Sequence, residues 1–354
     1  MEKQLNIPAT EPKRSLLSRI IGPGSLLNNI AGWLGQGIID IMDAIMTPVQ
    51  RLVGVRGMAY LFILPNMLVF SVFVLLPMMT NFVYTFTGSG NLFLEDRPYV
   101  GTENIERLFE CDNFLEPNTC REDRFARAVA NTASFVVFQV SLMIVVSLLT
   151  AIVLNRKIPA RGFFRSVFFY PVLLSPIVVA FIWKWILEQN GLFNGLIVGA
   201  GGDPVRFLTT ANWARFWVIV ISVWSLMGFY TLILLAGLQA IPKELYEAAE
   251  IDGASGLQSF SQITLPLLMP TMLVVVVLST IRAVQIFDVV WAFTGGQPGS
   301  ATLYIVQYIY ENGFTSATRQ FGIAAATSLV MASVLVVFTL FQLYLNRRNA
   351  LSTE

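Results

Sequence analysis

Three polar residues interrupt an otherwise apolar stretch at three-residue steps: Arg282, Gln285 and Asp288 stand within residues 267–293. A charged side chain at the centre of a bilayer-spanning helix costs about 2.5–3.5 kcal/mol on insertion scales, so such residues are kept where they line a pathway or meet a partner. Their chemistry suits binding: a guanidinium and an amide donate to hydroxyls or anions, and a carboxylate accepts. An ion pair or interhelical hydrogen bonds that merely fix packing would account for the same three residues. Reaction chemistry is poorly supplied elsewhere. The chain has no histidine, which removes His-based acid–base catalysis, Ser-His triads and His ligation of metal or haem. Two cysteines, Cys111 and Cys120, are too few for a zinc or iron–sulfur site, although an oxidising compartment would let them form a disulfide. No Gly-rich loop followed by Lys-Ser or Lys-Thr occurs, so no phosphate cradle, cofactor or metal is expected in this chain, and any ATP must bind elsewhere.

The elements that position these residues follow from composition. Of 354 residues, 55% are hydrophobic and only 13% charged, with mean hydropathy +0.66, whereas a soluble domain carries about 25% charged residues. A net charge of +1 without a long basic run argues against nucleic acid as a partner. The apolar residues gather into six runs, at about 59–86, 129–154, 167–187, 216–239, 267–293 and 321–345, each long enough to cross a ~30 Å hydrocarbon core as helix. The sequence therefore predicts an all-α integral membrane protein of about six transmembrane helices, with the lipid bilayer as its main surroundings.

Orientation follows from Lys and Arg in the flanks. Arg51 and Arg56 precede the first run, Arg156, Lys157, Arg161 and Arg165 cluster between the second and third, and Arg347 and Arg348 follow the last. Alternating spans put all of these on one side, so both termini are expected in the cytoplasm. Residues 1–57 lack a spanning run and begin with a polar stretch, so no cleavable signal is expected. Within them, apolar residues from Leu27 to Val49 recur at three- and four-residue steps and predict an amphipathic helix. The loop 87–128 is long, acid-rich and holds both cysteines; alternation places it in the periplasm.

The loop 240–266 departs from the positive-inside pattern: Lys243 is its single base against Glu244, Glu247, Glu250 and Asp252. Pro242 can open a helix whose early acids complement its positive end, while Leu245, Ala248, Ala249 and Ile251 offer a small apolar surface and Gly253 ends or bends it. Such a helix suits a groove on a soluble partner.

The string Glu247-Ala248-Ala249, three residues, Gly253, nine residues, then Ile263-Thr264-Leu265-Pro266 resembles the EAA loop of ABC importer permeases. The resemblance narrows to the sugar branch related to the maltose importer through Gly101-Thr102-Glu103-Asn104, Phe125 with Asn131-Thr132, Tyr170-Pro171, Phe287-Asp288 and Thr294-Gly295-Gly296-Gln297-Pro298, and it covers about residues 58–345. Residues 1–57 and an insertion around Cys111 and Cys120 depart from that pattern. The resemblance implies a type I ABC importer permease of the bacterial inner membrane, about 58–350, with Glu247, Ala248, Ala249, Asp252, Gly253, Ile263, Leu265 and Pro266 forming a cytoplasmic coupling helix and its exit. It implies three kinds of partner: a second permease subunit, expected to be a different chain; two cytoplasmic ATPases that carry ATP and Mg; and a periplasmic binding protein that delivers a sugar. Alignment with that branch adds Ser222, Ser225, Phe229 and Ser279 to Arg282, Gln285 and Asp288 as pathway candidates; close packing is the alternative for each serine. Arg282 leaves an acidic or phosphorylated solute open. Trp183, Trp185, Trp213, Trp217 and Trp291 would suit as sugar platforms, yet most tryptophans sit near span ends, where tryptophan anchors at the interface, and the anchor reading is favoured. A secondary transporter or channel would share the spans and buried charges but not the spaced loop, and a membrane enzyme lacks a convincing site.

Overall fold

The computed structural model describes residues 26–88, 90–114, 116–316 and 319–351, so the reading of residues 1–25 lies outside the described residues. The chain divides into two compact units, Met1–Met79 and Thr80–Glu354. In the first, α1 (Leu26–Phe70) joins the expected amphipathic segment and the start of the first span into one helix, bent at Gly54, whose φ of 73° suits a residue without Cβ. A π-turn at Ser71–Leu75 leads into α2 (Leu76–Thr85), which runs across the boundary between the units.

The second unit is built on α4 (Asp123–Asn155) and α8 (Ala211–Gln239), which pack along each other, with α11 (Leu265–Val284) laid against both. Met143, Ala151 and Leu154 meet Tyr230, Leu234 and Leu238 of α8 and Leu268 and Val275 of α11 in one buried cluster. Because lipid is as apolar as leucine, close van der Waals packing holds such helices together, and small residues at the contacts permit it. Gly228 is one of them: a Cβ there would lie 2.3 Å from the Phe168 carbonyl oxygen of α5 (Arg161–Phe169).

Between α3 (Glu103–Phe109) and α4, Cys111 and Cys120 are disulfide-bonded. The remaining elements are α6 (Pro176–Leu187), α7 (Leu192–Gly199), α9 (Lys243–Ile251), α10 (Gly256–Ser259), α12 (Asp288–Phe293), α13 (Ile305–Tyr310) and α14 (Phe321–Leu351). Among the described residues, strand pairing is limited to isolated bridges.

Among the described residues, five helical stretches are long and apolar enough to cross a membrane: Met46–Thr85, Asp123–Asn155, Ala211–Gln239, Gly256–Val284 and Phe321–Tyr344. Arg161–Leu173 and Pro176–Gly199 together are long and apolar enough for a sixth, but they are bent by 99° at the break between them, the geometry of a broken span or a re-entrant loop. This corrects the expectation of one continuous span at 167–187. Pro171 and Pro176 bracket the break, and an X-Pro residue is pushed out of the helical region, as Ser175 is at ψ 133°. The span expected at 267–293 is also divided: α11 stops at Val284, Phe287 adopts φ −146° and ψ −66°, and α12 starts at Asp288.

Several motif residues act as clamps between segments. Asn131 donates to the Ser300 and Leu303 carbonyls at 2.8 and 3.0 Å, and the Ile305 amide donates to the Thr132 hydroxyl at 3.0 Å. Asn104 donates to the Thr85 and Thr87 carbonyls at 2.9 and 3.0 Å. Tyr308 donates to Glu122 at 3.0 Å; burial and that carboxylate both push its hydroxyl pKa up, so the donor stays protonated.

Gly228→Val is expected to lower the yield of monodisperse protein and the thermal midpoint in detergent, because a side chain there must force α5 away from α8. Gly195→Ala, where a Cβ meets open space, is the control that leaves both unchanged.

Candidate solute cavity and coupling loop

The two helix breaks face one another across a cavity of about 510 Å³. Its walls come from Pro171, Leu174 and Pro176 at the α5–α6 break, from Ser222, Ser225 and Phe229 of α8, and from Arg282, Gln285 and Asp288 at the α11–α12 break. Gln285 is the residue that caps α11, and Asp288 opens α12, so the three polar residues surround an interruption and do not form a stripe along a continuous helix as the sequence suggested. Broken backbone at membrane depth is tolerated where it lines a cavity or is buried in protein, because the freed N–H and C=O groups then find partners. Arg282, Gln285 and Asp288 are all exposed to this space. Neither the Arg282 nor the Asp288 side chain has a hydrogen-bond or ion-pair partner among the described residues.

The serines divide. Ser222 and Ser225 line the cavity but spend their protons on the Val218 and Ile221 carbonyls, each at 2.7 Å, so toward the cavity their oxygens act as acceptors. Ser279 is fully buried, donates to the Val276 carbonyl at 3.1 Å and does not line the cavity. Two polar lining residues went unnoticed in the sequence, Gln139 and Tyr230. Gln139 is 2% exposed, and its Oε1 is buried without a hydrogen-bond partner. An amide in the middle of α4 was a signal of the same kind as Gln285. Tyr230 carried no such signal, since its ring reads as ordinary core.

At the other end of α11 lies the Glu247–Pro266 segment. α9 ends in a Schellman motif: the Ala254 amide bonds the Ala249 carbonyl at 2.9 Å, the Gly253 amide bonds the Glu250 carbonyl at 3.1 Å, and Gly253 sits at φ 77°. Ser255 and Gln258 then form a capping box that starts α10. A π-turn at Phe260–Thr264, tied to α9 by Tyr246 and Thr264 at 2.9 Å, delivers the chain to Leu265 and Pro266. The spacing between Gly253 and Ile263-Thr264-Leu265-Pro266 is therefore the length of one capped turn and one π-turn. Leu245, Ala248, Ile251 and Leu257 are exposed, with Glu247, Asp252 and Gly253 beside them, while Ala249, Ile263 and Leu265 are half-buried.

The tryptophans are not all placed as anchors. Trp183 packs on Trp217 and Trp224 with ring centroids 5.6 and 5.7 Å apart, and Trp217 meets Phe193 and Phe207, so these rings fill the core between α6, α7 and α8; Trp185 is exposed.

Residues 143–350 match the model of the family described as binding-protein-dependent transport system inner membrane component. The chain belongs to this family. It is 36% identical over 293 residues to the trehalose/maltose transport system permease protein MalF of Thermococcus litoralis, covering 82% of this chain and 94% of the relative. It is 32% identical over 306 residues to the lactose transport system permease protein LacF of Rhizobium radiobacter, covering 85% and 97%. Among solved structures it resembles a chain of a bacterial ABC transporter involved in the import of the acidic polysaccharide alginate, with TM-score 0.71, 25% identity and coverage of 85% and 99%. It also resembles a chain of the bacterial alginate ABC transporter in complex with an alginate pentasaccharide-bound periplasmic protein, with TM-score 0.70. This inner membrane component thus has a helical permease fold in which the breaks at 174–175 and 285–287 border one cavity.

In the purified chain, cysteines introduced as Ser225→Cys and Asp288→Cys should react with a small water-soluble maleimide, while Ser279→Cys should not. The native cysteines are bonded to each other and give no background. Equal labelling at all three positions would mean that the cavity is not the water-accessible space described.

Proposed function

We propose that this inner membrane component is one of two permease subunits of an ABC importer for a sugar or sugar-like solute, and that it pairs with a different permease chain, two cytoplasmic ATPases and a periplasmic binding protein. The observation that carries this reading is the family match together with an exposed, Schellman-capped helix at 243–251 inside the matched region. Trehalose/maltose, lactose and arabinooligosaccharides are named for the relatives, which supports a carbohydrate. On this reading both termini and the 240–266 loop are cytoplasmic and the disulfide loop is periplasmic, where a disulfide persists.

The mechanism is mechanical. ATP and Mg bind the ATPase partners, whose closure draws the docked loops together; Leu245, Ala248, Ile251 and Leu257 supply the apolar contact and Glu247 and Asp252 the polar rim. That loop must bind its ATPase differently in the two states, since a ligand shifts an equilibrium only by its differential affinity. In the cavity, a sugar's hydroxyls meet the Arg282 guanidinium, the Gln285 and Gln139 amides and the Asp288 carboxylate, while Phe229 and Tyr230 cover its apolar faces. The unpartnered Arg282 also suits an acidic sugar, and the transporter that the fold resembles imports an acidic polysaccharide.

The reading is tested by purifying the tagged chain from native membranes in mild detergent, identifying the retained proteins and assaying ATP hydrolysis. An ATPase and a second permease are expected; a lone chain or homodimer without ATP hydrolysis would favour a secondary transporter. Gly253→Asp should leave insertion intact and abolish uptake, because it adds a charge at the docking bend and strains the cap at φ 77°. Wild-type uptake by that variant would overturn the coupling role. Arg282→Ala should lower uptake of the accepted solute by about tenfold or more, the scale of a lost charged hydrogen bond, without loss of assembly.

A further inference from the structure

An aromatic row leads away from the cavity. Phe287, one of its walls, stacks on Trp291 with centroids 5.8 Å apart; Trp291 meets Tyr310 edge-on at 5.2 Å; and Tyr310 stacks on Phe314 at 5.6 Å. Trp291 is 39% exposed and Phe314 69%. Beside the indole lies a second cavity of about 220 Å³, walled by Arg124, Trp291, Glu311, Asn312 and Thr315.

The polar groups of this second cavity are held in place. Glu311 is gripped on both oxygens, by the Arg124 guanidinium on Oε2 and by the Gln307 amide on Oε1 at 2.9 Å. Gln307 is itself 1% exposed and cannot move freely. Asn312 is anchored by donation to the Tyr308 carbonyl at 2.9 Å. A carboxylate has about four lone-pair directions, so two remain for further donors. An exposed indole beside a fixed carboxylate, an amide and a guanidinium is the chemistry that holds one pyranose ring: an apolar face to stack on, and planar acceptors and donors for vicinal hydroxyls.

The site lies at the disulfide end of the molecule. α4 begins three residues after Cys120, and its first turn supplies Arg124 to Glu311. This is the periplasmic end on the function proposed above, on which the inference rests.

We propose that Trp291, Glu311, Asn312 and Arg124 form an outer sugar subsite that captures one ring of the solute as it leaves the binding protein, and that the Phe287–Trp291–Tyr310–Phe314 row guides it into the main cavity. Capture keeps a released sugar from escaping to the periplasm. The subsite therefore acts on how much sugar is imported per ATP and not on how fast ATP is hydrolysed.

The experiment uses the intact importer reconstituted in liposomes with its binding protein, supplied in turn with trehalose, maltose, lactose and an alginate oligosaccharide as probes. Sugar import and ATP hydrolysis are measured together for wild type, Trp291→Leu and Glu311→Gln. With any probe that wild type imports, each variant should import about fivefold less sugar per ATP, the scale of one truncated aromatic or charged contact, with binding-protein-stimulated ATP hydrolysis unchanged. An unchanged ratio would overturn the subsite while leaving the importer reading intact. Loss of stimulated hydrolysis in step with import would also overturn it, making this face a docking surface for the binding protein or the second permease. A wild-type complex that hydrolyses ATP but imports none of the four probes would remove the sugar reading and the subsite together.

Discussion

Everything in this molecule depends on where backbone polar groups can be left without a helical partner. In lipid each unsatisfied N–H or C=O costs several kcal/mol, so an unbroken helix is the default and an interruption must be buried or face a cavity. Two of the interruptions, at 174–175 and at 285–287, open onto the same 510 Å³ space. The freed groups and the polar side chains that flank them explain each other: a cavity that hydrates Arg282 and Asp288 also hydrates the end of α11.

The same constraint explains what was legible in the sequence. Runs of Val, Ile, Leu and Phe announced six crossings because apolar length is a strong signal, and the 247–266 loop stood out because acids, small residues and a glycine recur there at fixed spacing. The breaks were masked by apolar residues that continue on both sides of each; Pro171 and Pro176 signalled the first, whereas Ile286-Phe287 inside the second carries no such mark. Treating 267–293 as one helix made Arg282, Gln285 and Asp288 a drifting stripe; the break gathers them around one space by a different route. Ser279 and Gln139 show the limit from both sides. A serine can spend its proton on its own helix and disappear from the surface, as Ser279 does. Gln139 has an acceptor that α4 cannot satisfy.

The motif residues also have physical work that their pattern alone did not reveal. Asn131, Thr132 and Asn104 do not line the 510 Å³ cavity; they replace missing helical partners for carbonyls and amides in the connections around 85–87 and 300–305. Those connections carry no regular ladder, so side-chain amides that donate twice are the economical way to hold them. Holding 300–305 in turn fixes the start of α13, and with it Tyr308 and Tyr310.

α11 joins the two functional regions. It begins at Leu265, directly after the π-turn that leaves the 247–264 segment, and ends at Val284 beside Arg282 and Gln285. A helix of 20 residues is about 30 Å long, close to the thickness of the hydrocarbon core, so one rigid element spans from the proposed docking loop to the cavity. Its packing against both α4 and α8 means that it cannot shift alone. A displacement at Leu265 and Pro266 must therefore be passed to the bundle or absorbed where the helix is weakest, at Pro270 and at the π-turn. Both weak points lie at the loop end. The cavity end, by contrast, has no proline and terminates in an open break, so motion that reaches it changes the gap between α11 and α12. On the proposed function, the solute path is thus widened or narrowed at the point where the helix has already been cut.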